Sequence, residues 1–198
     1  MVELTIVLRS HPLRAATEDL IQFVYERQYG AQVDSFPDVL AALTTPDGMP
    51  FCAAGMRFGI ADCWSECYLD EPIETLVSRA TGESIRRNQI LEISGLASTG
   101  SGVSFVLLRE LIAYAVRRGI RLGVFTATRR LQHAIEAAHV PLIRIAPARR
   151  SRIANPERWG SYYEEDPWVC GIVDPHSLPW PNRLRKSPAA APEQLQVA

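Results

Sequence analysis

The residues whose types and spacing point most directly to chemistry lie in one run, LEISGLASTGSGVSFVLLRELIAYAVRRG, from Leu91 to Gly119. A carboxylate, Glu92, stands on a strand-like segment, followed by a Gly-Ser-Gly turn and a long amphipathic helix. A glycine-rich turn between strand and helix leaves backbone N–H groups free at the positive end of the helix dipole, which makes an anion site. Gly100 and Gly102 let an anion approach the backbone closely, so Ser98, Thr99, Gly100, Ser101 and Gly102 form the expected phosphate cradle. The helix buries Phe105, Leu108, Leu111, Ile112 and Ala115 and keeps Arg109, Glu110, Arg117 and Arg118 polar, a rigid base for the loop. No Gly-Lys-Ser/Thr follows, which excludes a P-loop, and the third glycine of a dinucleotide fingerprint is missing. Taken alone, the loop also reads as a connection that binds nothing.

The elements that must position this run alternate along the chain. VELTIVLR is an expected first strand, and Pro12 to Tyr29 an expected helix carrying Leu20, Ile21, Phe23 and Val24 at helical spacing. DVLAAL and PFCAAGMRFGI flank the Asp47-Gly48 turn signal, which predicts an antiparallel hairpin. A helix is expected from about Glu71, with Pro72 in its first turn and Gly82 after its end. QILEISGLAS, GVSFVLLRELIAYAVRR, RLGVFTAT, RRLQHAIEAAHV and PLIRIAP then alternate strand and helix, which predicts locally parallel strands. A loop-rich excursion from Ala146 to Pro167 precedes a last strand, WVCGIV. The fold class expected is α/β, a mixed central sheet with flanking helices, in one domain over residues 1–183. The Pro- and Ala-rich residues 184–198 are expected to be a disordered tail.

Antiparallel strands followed by strand, glycine loop, helix and strand resemble the GNAT-like acyltransferases, whose loop amides hold the pyrophosphate of coenzyme A. Gly100 and Gly102 are in register with that family's loop, and Ala97 stands where it has Gln or Arg. From Phe23 to Val173 the chain also resembles the GNAT-related thermostable hemolysin family. The stretches RQYGAQVDSF, AAGMRF, ECYLDEPIE, LEISGLA, VFTATRRL and WGSYYEEDP carry that likeness. Where that family reads Glu, Val, Gly, Asn, Leu, Ala, this chain has Glu92, Ile93, Ser94, Gly95, Leu96 and Ala97. In order of motifs, VDSF, GMRF and LEISG are similar to signatures of the acyl-homoserine-lactone synthases, with Asp34, Arg57 and Glu92 at matching places and Gly95 replacing an arginine.

These resemblances imply an N-acyltransferase that moves an acyl group from a thioester of coenzyme A or acyl carrier protein to a small amine or amino-acid derivative. Such a reaction needs help for the nucleophile's proton, donors for the oxyanion and sometimes an acid for the thiolate. Glu92 is the expected base or ammonium anchor, or else a carboxylate paired with Arg57 or Arg27 to hold the sheet. Ser94 is the expected oxyanion donor, with Tyr162 or Tyr163 as proton donor to the thiolate. Arg57, Glu66, Tyr68, Thr126, Thr128, Trp159 and Tyr163 are expected around the substrates, the aromatics as a flap over the acyl chain or as a core flap. Structural readings stand beside two others: Glu66 and Tyr68 pinning the crossover, and Thr126 and Thr128 capping a helix. Arg149, Arg150 and Arg152, within a cluster that includes Arg144 and Arg158, are expected to dock an acidic carrier or to form a solvated loop. A non-catalytic acyl-, lipid- or carrier-binding protein is the alternative function.

Composition narrows the classes. Basic and acidic residues balance at 21 and 22, which argues against a global field for nucleic acid. Lys186 is the only lysine. Cys52, Cys63, Cys67 and Cys170 lack paired metal-ligand spacing, so no metal is expected. No run reaches the ~18 apolar residues of a membrane span, and the N-terminus lacks a basic leader, which together predict a cytoplasmic protein.

Overall fold

The computed structural model describes residues 3–59, 63–100 and 102–173. Strand β1 (Glu3–Val7) leads into helix α1 (Arg14–Tyr29), which stops where Gly30 takes φ +66°, a left-handed conformation that suits glycine. The predicted hairpin follows as β2 (Val39–Thr44) and β3 (Pro50–Phe58), antiparallel, with Gly48 at φ +84° in its turn. A 3-10 turn over Trp64–Tyr68 leads to α2 (Ile73–Thr81), for which Pro72 is the N-cap and Gly82 the left-handed C-cap. Then come β4 (Ile90–Ser98), α3 (Val103–Val116), β5 (Leu122–Ala127), α4 (Arg129–Ala137) and β6 (Ile143–Pro147). Three 3-10 turns, Arg150–Arg152, Pro156–Trp159 and Tyr162–Glu165, precede β7 (Trp168–Val173).

The seven strands form one mixed sheet in the order β1-β2-β3-β4-β5-β7-β6. β4 and β5 are parallel as expected, but β6 does not join β5, because β7 lies between them and runs antiparallel to both. Burial explains the exchange. Val169, Cys170, Gly171 and Ile172 of β7 are buried in succession, so both faces of that strand need cover and it belongs inside the sheet. β6 carries exposed Arg144 and ends in Pro147, features suited to an edge.

Alternation divides the core. Leu91 and Ile93 of β4 join Phe125, Ala54 and Met56 beneath α3 and α4, whereas Ile90 joins Leu122 and Val124 beneath Ile73 and Val77 of α2. A third cluster packs Leu20, Ile21 and Tyr25 of α1 on Leu40, Ala53 and Ala97. Residues 174–198, including the expected tail and Lys186, lie outside the described residues.

Candidate active site

Two irregularities in β4 create the site. Between β3 and β4, Gly55 pairs with Ser94 but Ala53 pairs with Ala97, so three steps of β4 span two of β3 and a bulge forms at Gly95 and Leu96. Gly95 sits there at φ +58°, a region open to glycine and, among other residues, best tolerated by Asn. On the other side, the parallel pairing with β5 ends at Ile93 and Phe125. β4 therefore parts from β5 at the bulge, leaving backbone amides of Gly95 and Leu96 outside the parallel ladder.

A cavity of about 340 Å³ opens onto this point. Its floor is Glu92, Ser94, Arg57 and Thr126 on the strands, its side wall Ile21 and Tyr25 of α1 with residues 32–37, and its roof the 152–162 segment with Trp159 and Tyr162. Arg152, Arg158 and Asn155 reach it from that roof. The structure thus brings together Glu92, Ser94, Arg57, Thr126, Trp159, Tyr162 and Arg152 from segments far apart in sequence.

Glu92 is almost fully buried, at 1% exposure, and saturated with donors. Its Oε2 accepts from the Trp64 amide at 2.8 Å, and its Oε1 accepts from the Ser65 amide at 2.7 Å and the Ser65 hydroxyl at 2.6 Å. Arg57, the expected partner, has Nη1 3.5 Å from Oε2 and donates from the same nitrogen to Ser94 Oγ at 3.2 Å. Three hydrogen bonds to its two oxygens hold the Glu92 carboxylate in one position at the cavity floor. The Ser94 hydroxyl accepts from Arg57 and keeps its own hydrogen available for the cavity.

Other expected positions fall elsewhere. Glu66 does not line the cavity: it is paired with Arg87 and accepts from the Ile73 amide at 3.0 Å, so it anchors α2. The Arg87 hydrogen bond holds its carboxyl below the usual range. Tyr68 and Tyr163 also lie outside the lining, with hydroxyls 2.6 Å apart. Thr128 is buried at the N-cap position of α4, but its side chain makes no capping hydrogen bond there. Tyr162 lines the cavity but is packed among Tyr25, Tyr29, Trp159 and Tyr163, and its hydroxyl faces the Thr126 carbonyl at 3.5 Å. Burial pushes its pKa well up, which makes it a poor proton donor to a thiolate.

The glycine loop is less open than its composition suggests. The Thr99 amide donates to the Phe51 carbonyl at 3.1 Å, the Gly100 amide to Ser98 Oγ at 3.2 Å, and Ser98 itself is paired with Cys52 in the sheet. What remains for an anion is the first turn of α3 beyond Gly102, which caps the helix at φ +77°; Ser101 lies outside the described residues. Ala97, in the place of the GNAT Gln or Arg, is 1% exposed in the cluster that contains Tyr25 and Tyr162, where a long polar side chain has no room.

Of the basic cluster, Arg144 pairs with Glu136, Arg152 with Asp70 and Arg158 with Asp34. Arg149 and Arg150 are exposed and have no ion pair among the described residues. Sequence reasoning missed Trp64, Ser65 and Asn155, which no local spacing marks, since Ser65 meets Glu92 only through the fold. The four cysteines are free thiols, and among the described residues no group of three or more His, Cys, Asp or Glu is placed to hold a metal. No described helix is long and apolar enough to cross a membrane.

The fold is that of the GNAT-like acyltransferases and acyl-homoserine-lactone synthases. The acyl-homoserine-lactone synthase LasI is similar with TM-score 0.59 and 14% identity over 87% of this chain and 90% of its own. FeeM, an N-acyl amino acid synthase from uncultured soil microbes, is similar with TM-score 0.58 and 13% identity over 87% and 95%. The coenzyme-A-dependent acyl-homoserine-lactone synthase MesI is similar with TM-score 0.54 and 16% identity over 87% and 89%. At these identities the likeness establishes the fold. By sequence, the chain belongs to the thermostable hemolysin family, whose model matches residues 7–177. A comparison with curated proteins gives no match.

Proposed function

We propose that this protein is an N-acyltransferase that carries an acyl group from a thioester to a small amine or amino-acid derivative bound in the cavity. The observation that carries the reading is the position of the cavity: it meets β4 at Gly95 of the bulge, where β4 parts from β5, five residues before Gly100 of the loop that begins α3. A pantetheine arm whose phosphate rests on the first turn of α3 runs along the opened edge of β4 and delivers its thioester carbonyl beside Ser94 and Gly95. The bound ammonium first gives one proton to water; the neutral amine then attacks the carbonyl carbon, a C–N bond forms, the C–S bond breaks, and a second proton passes from the nitrogen to the departing thiolate directly or through water. Ser94 Oγ–H and the bulge amides stabilise the oxyanion, Glu92 supplies the fixed negative charge that holds the amine, and Trp159 and Tyr162 exclude water.

The donor is acyl-coenzyme A or acyl carrier protein, which sets the reaction in the cytoplasm. Two described loop amides are spent internally, which favours one phosphodiester over a fully cradled pyrophosphate. Arg149 and Arg150 supply the free positive charge for an acidic carrier.

The test is turnover of a panel of acyl-coenzyme A and acyl-carrier thioesters with pooled amines, following free thiol and amide by mass spectrometry. Amine-dependent thiol release with a matching amide is expected, reduced on the order of 10²-fold in Glu92→Gln, because the nucleophile loses its anchor. Arg149→Glu with Arg150→Glu should slow carrier donors more than coenzyme A donors. Donor binding without product across the panel would instead identify an acyl-carrier or lipid-binding protein of this fold.

A further inference from the structure

Arginines outnumber carboxylates in the lining of the cavity, and one arginine has donors left over. Three guanidinium groups line it, Arg57 from the floor and Arg152 and Arg158 from the roof, against two carboxylates, Asp34 and Glu92. Glu92 is already taken up by two backbone amides and a hydroxyl, so it offers Arg57 only a 3.5 Å approach outside hydrogen-bond geometry. Arg57 has five N–H donors, and one of them meets Ser94 Oγ. Its side chain is 26% exposed and faces the cavity. The roof arginines hold exposed carboxylates at the rim, Arg158 on Asp34 at 2.6 Å and Arg152 on Asp70. Arg152 and Arg158 are thus neutralised by their own partners, which leaves Arg57 as the cavity arginine with N–H donors to spare for a ligand.

We infer that the acceptor is a free amino acid, its carboxylate bound by Arg57 and faced by Arg158 and Arg152, with its amine turned toward Glu92 and the bulge. This inference rests on the acyltransferase reading and names its acceptor class. Guanidinium donors match a carboxylate in a planar, two-point geometry that also fixes orientation. Ile21, Val33, Phe36 and Leu40 form the apolar part of the wall, which accommodates a side chain. A volume of about 340 Å³ is at the lower end of the ~300–1,000 Å³ found for small-molecule sites, enough to hold an amino acid.

Two measurements on the full chain test it. In the first, the acyl-coenzyme A panel is offered a pool of the twenty amino acids and, separately, a pool of their amides and decarboxylated amines. Product from the free acids should exceed that from the neutral pools at least about tenfold, and Arg57→Gln should narrow that ratio, whereas a merely structural role would lower both arms alike. In the second, ligand-observed NMR without donor follows the same pools, with coenzyme A added as competitor. Selective binding of free acids is expected, undisturbed by coenzyme A.

Equal acylation of acids and amides would overturn the carboxylate site and leave the acyltransferase standing. Selective acid binding with no product from any donor would do the reverse. Neither binding nor product would remove both. Displacement of the amino acids by coenzyme A would assign the arginines to the donor's phosphates and overturn the inference.

Discussion

At the scale of single residues, position in the fold separates the roles of side chains that look alike in sequence. Glu92 and Glu66 are both acidic residues beside arginines, yet Glu92 faces the cavity floor while Glu66 is consumed in fastening α2. Cys67 lines the cavity and is exposed as a residue with its thiol partly desolvated, which makes it a convenient reporter of this environment. Burial of its sulfur, reinforced by the nearby Glu92 carboxylate, pushes the thiol up from 9.0 to about 11. Fewer thiolates form at neutral pH, partly offset by their greater nucleophilicity, so alkylation by iodoacetamide at pH 7.5 should run about tenfold slower than for an unperturbed cysteine. Its rate should keep rising with pH toward 11; a plateau near 9 in peptide-mapped labelling would show that the thiol is not perturbed. Amino acids that occupy the cavity should slow the labelling further.

At the scale of elements, the bulge in β4 decides what the strand can present. Gly95 at φ +58° has room for a β-carbon, 3.4 Å from Ile21 Cγ2, so conformation rather than space limits substitution there. Side chains cost ~1–2 kcal/mol in this region, with Asn penalised least and β-branched residues most. Gly95→Asn should therefore unfold in urea near the wild-type midpoint, whereas Gly95→Val should lose about 2 kcal/mol or more. Equal losses would mean that the left-handed backbone is not what selects the residue. The same physics explains why this chain can carry glycine where the thermostable hemolysin resemblance has Asn: both residues suit the bend. The roof is fixed in a comparable way, since a β-carbon on Gly160, itself at φ +51°, would overlap the Tyr29 carbonyl, and the Ser161 amide donates to that same oxygen at 2.9 Å.

For the whole molecule, the parts around the cavity are joined by a few charged ties. Arg87 binds Glu66 of the 3-10 turn and, at 2.8 Å, Glu74 of α2. Because Glu66 is depressed below its ordinary 4.5 in the folded state, its contribution is present above pH 4.5 and disappears as pH falls through the lower folded value. Hydrogen bonds to charged groups contribute ~1.5–3 kcal/mol, so Glu66→Gln should cost up to about that at pH 7 and much less once the wild-type carboxyl is protonated. Urea unfolding of both proteins at pH 7 and across the acid range checks the sign; a gap that does not close in acid would show that the ion pair is not its source.

What the sequence determined by itself was mostly local. Asp47-Gly48 and Gly82 announce a turn and a helix end because left-handed backbone is a property of the residue, and runs such as DVLAAL and GVSFVLLRELIAYAVRR carry their burial period within themselves. The motif order was sufficient for the mixed sheet and the family. Tertiary structure alone decided that β7 lies between β5 and β6, since whether a short apolar strand is central depends on what covers its second face. It also separated Glu66, Tyr68, Thr128 and Tyr163 from the cavity that Glu92, Ser94 and Arg57 share, and it brought in Ser65 and Asn155. Those assignments rest on contacts such as Ser65 to Glu92, 27 residues apart, whose partners are chosen only when the sheet closes. The glycine loop shows the same division: its composition permits an anion, but the neighbouring strand and Ser98 take the amides of Thr99 and Gly100.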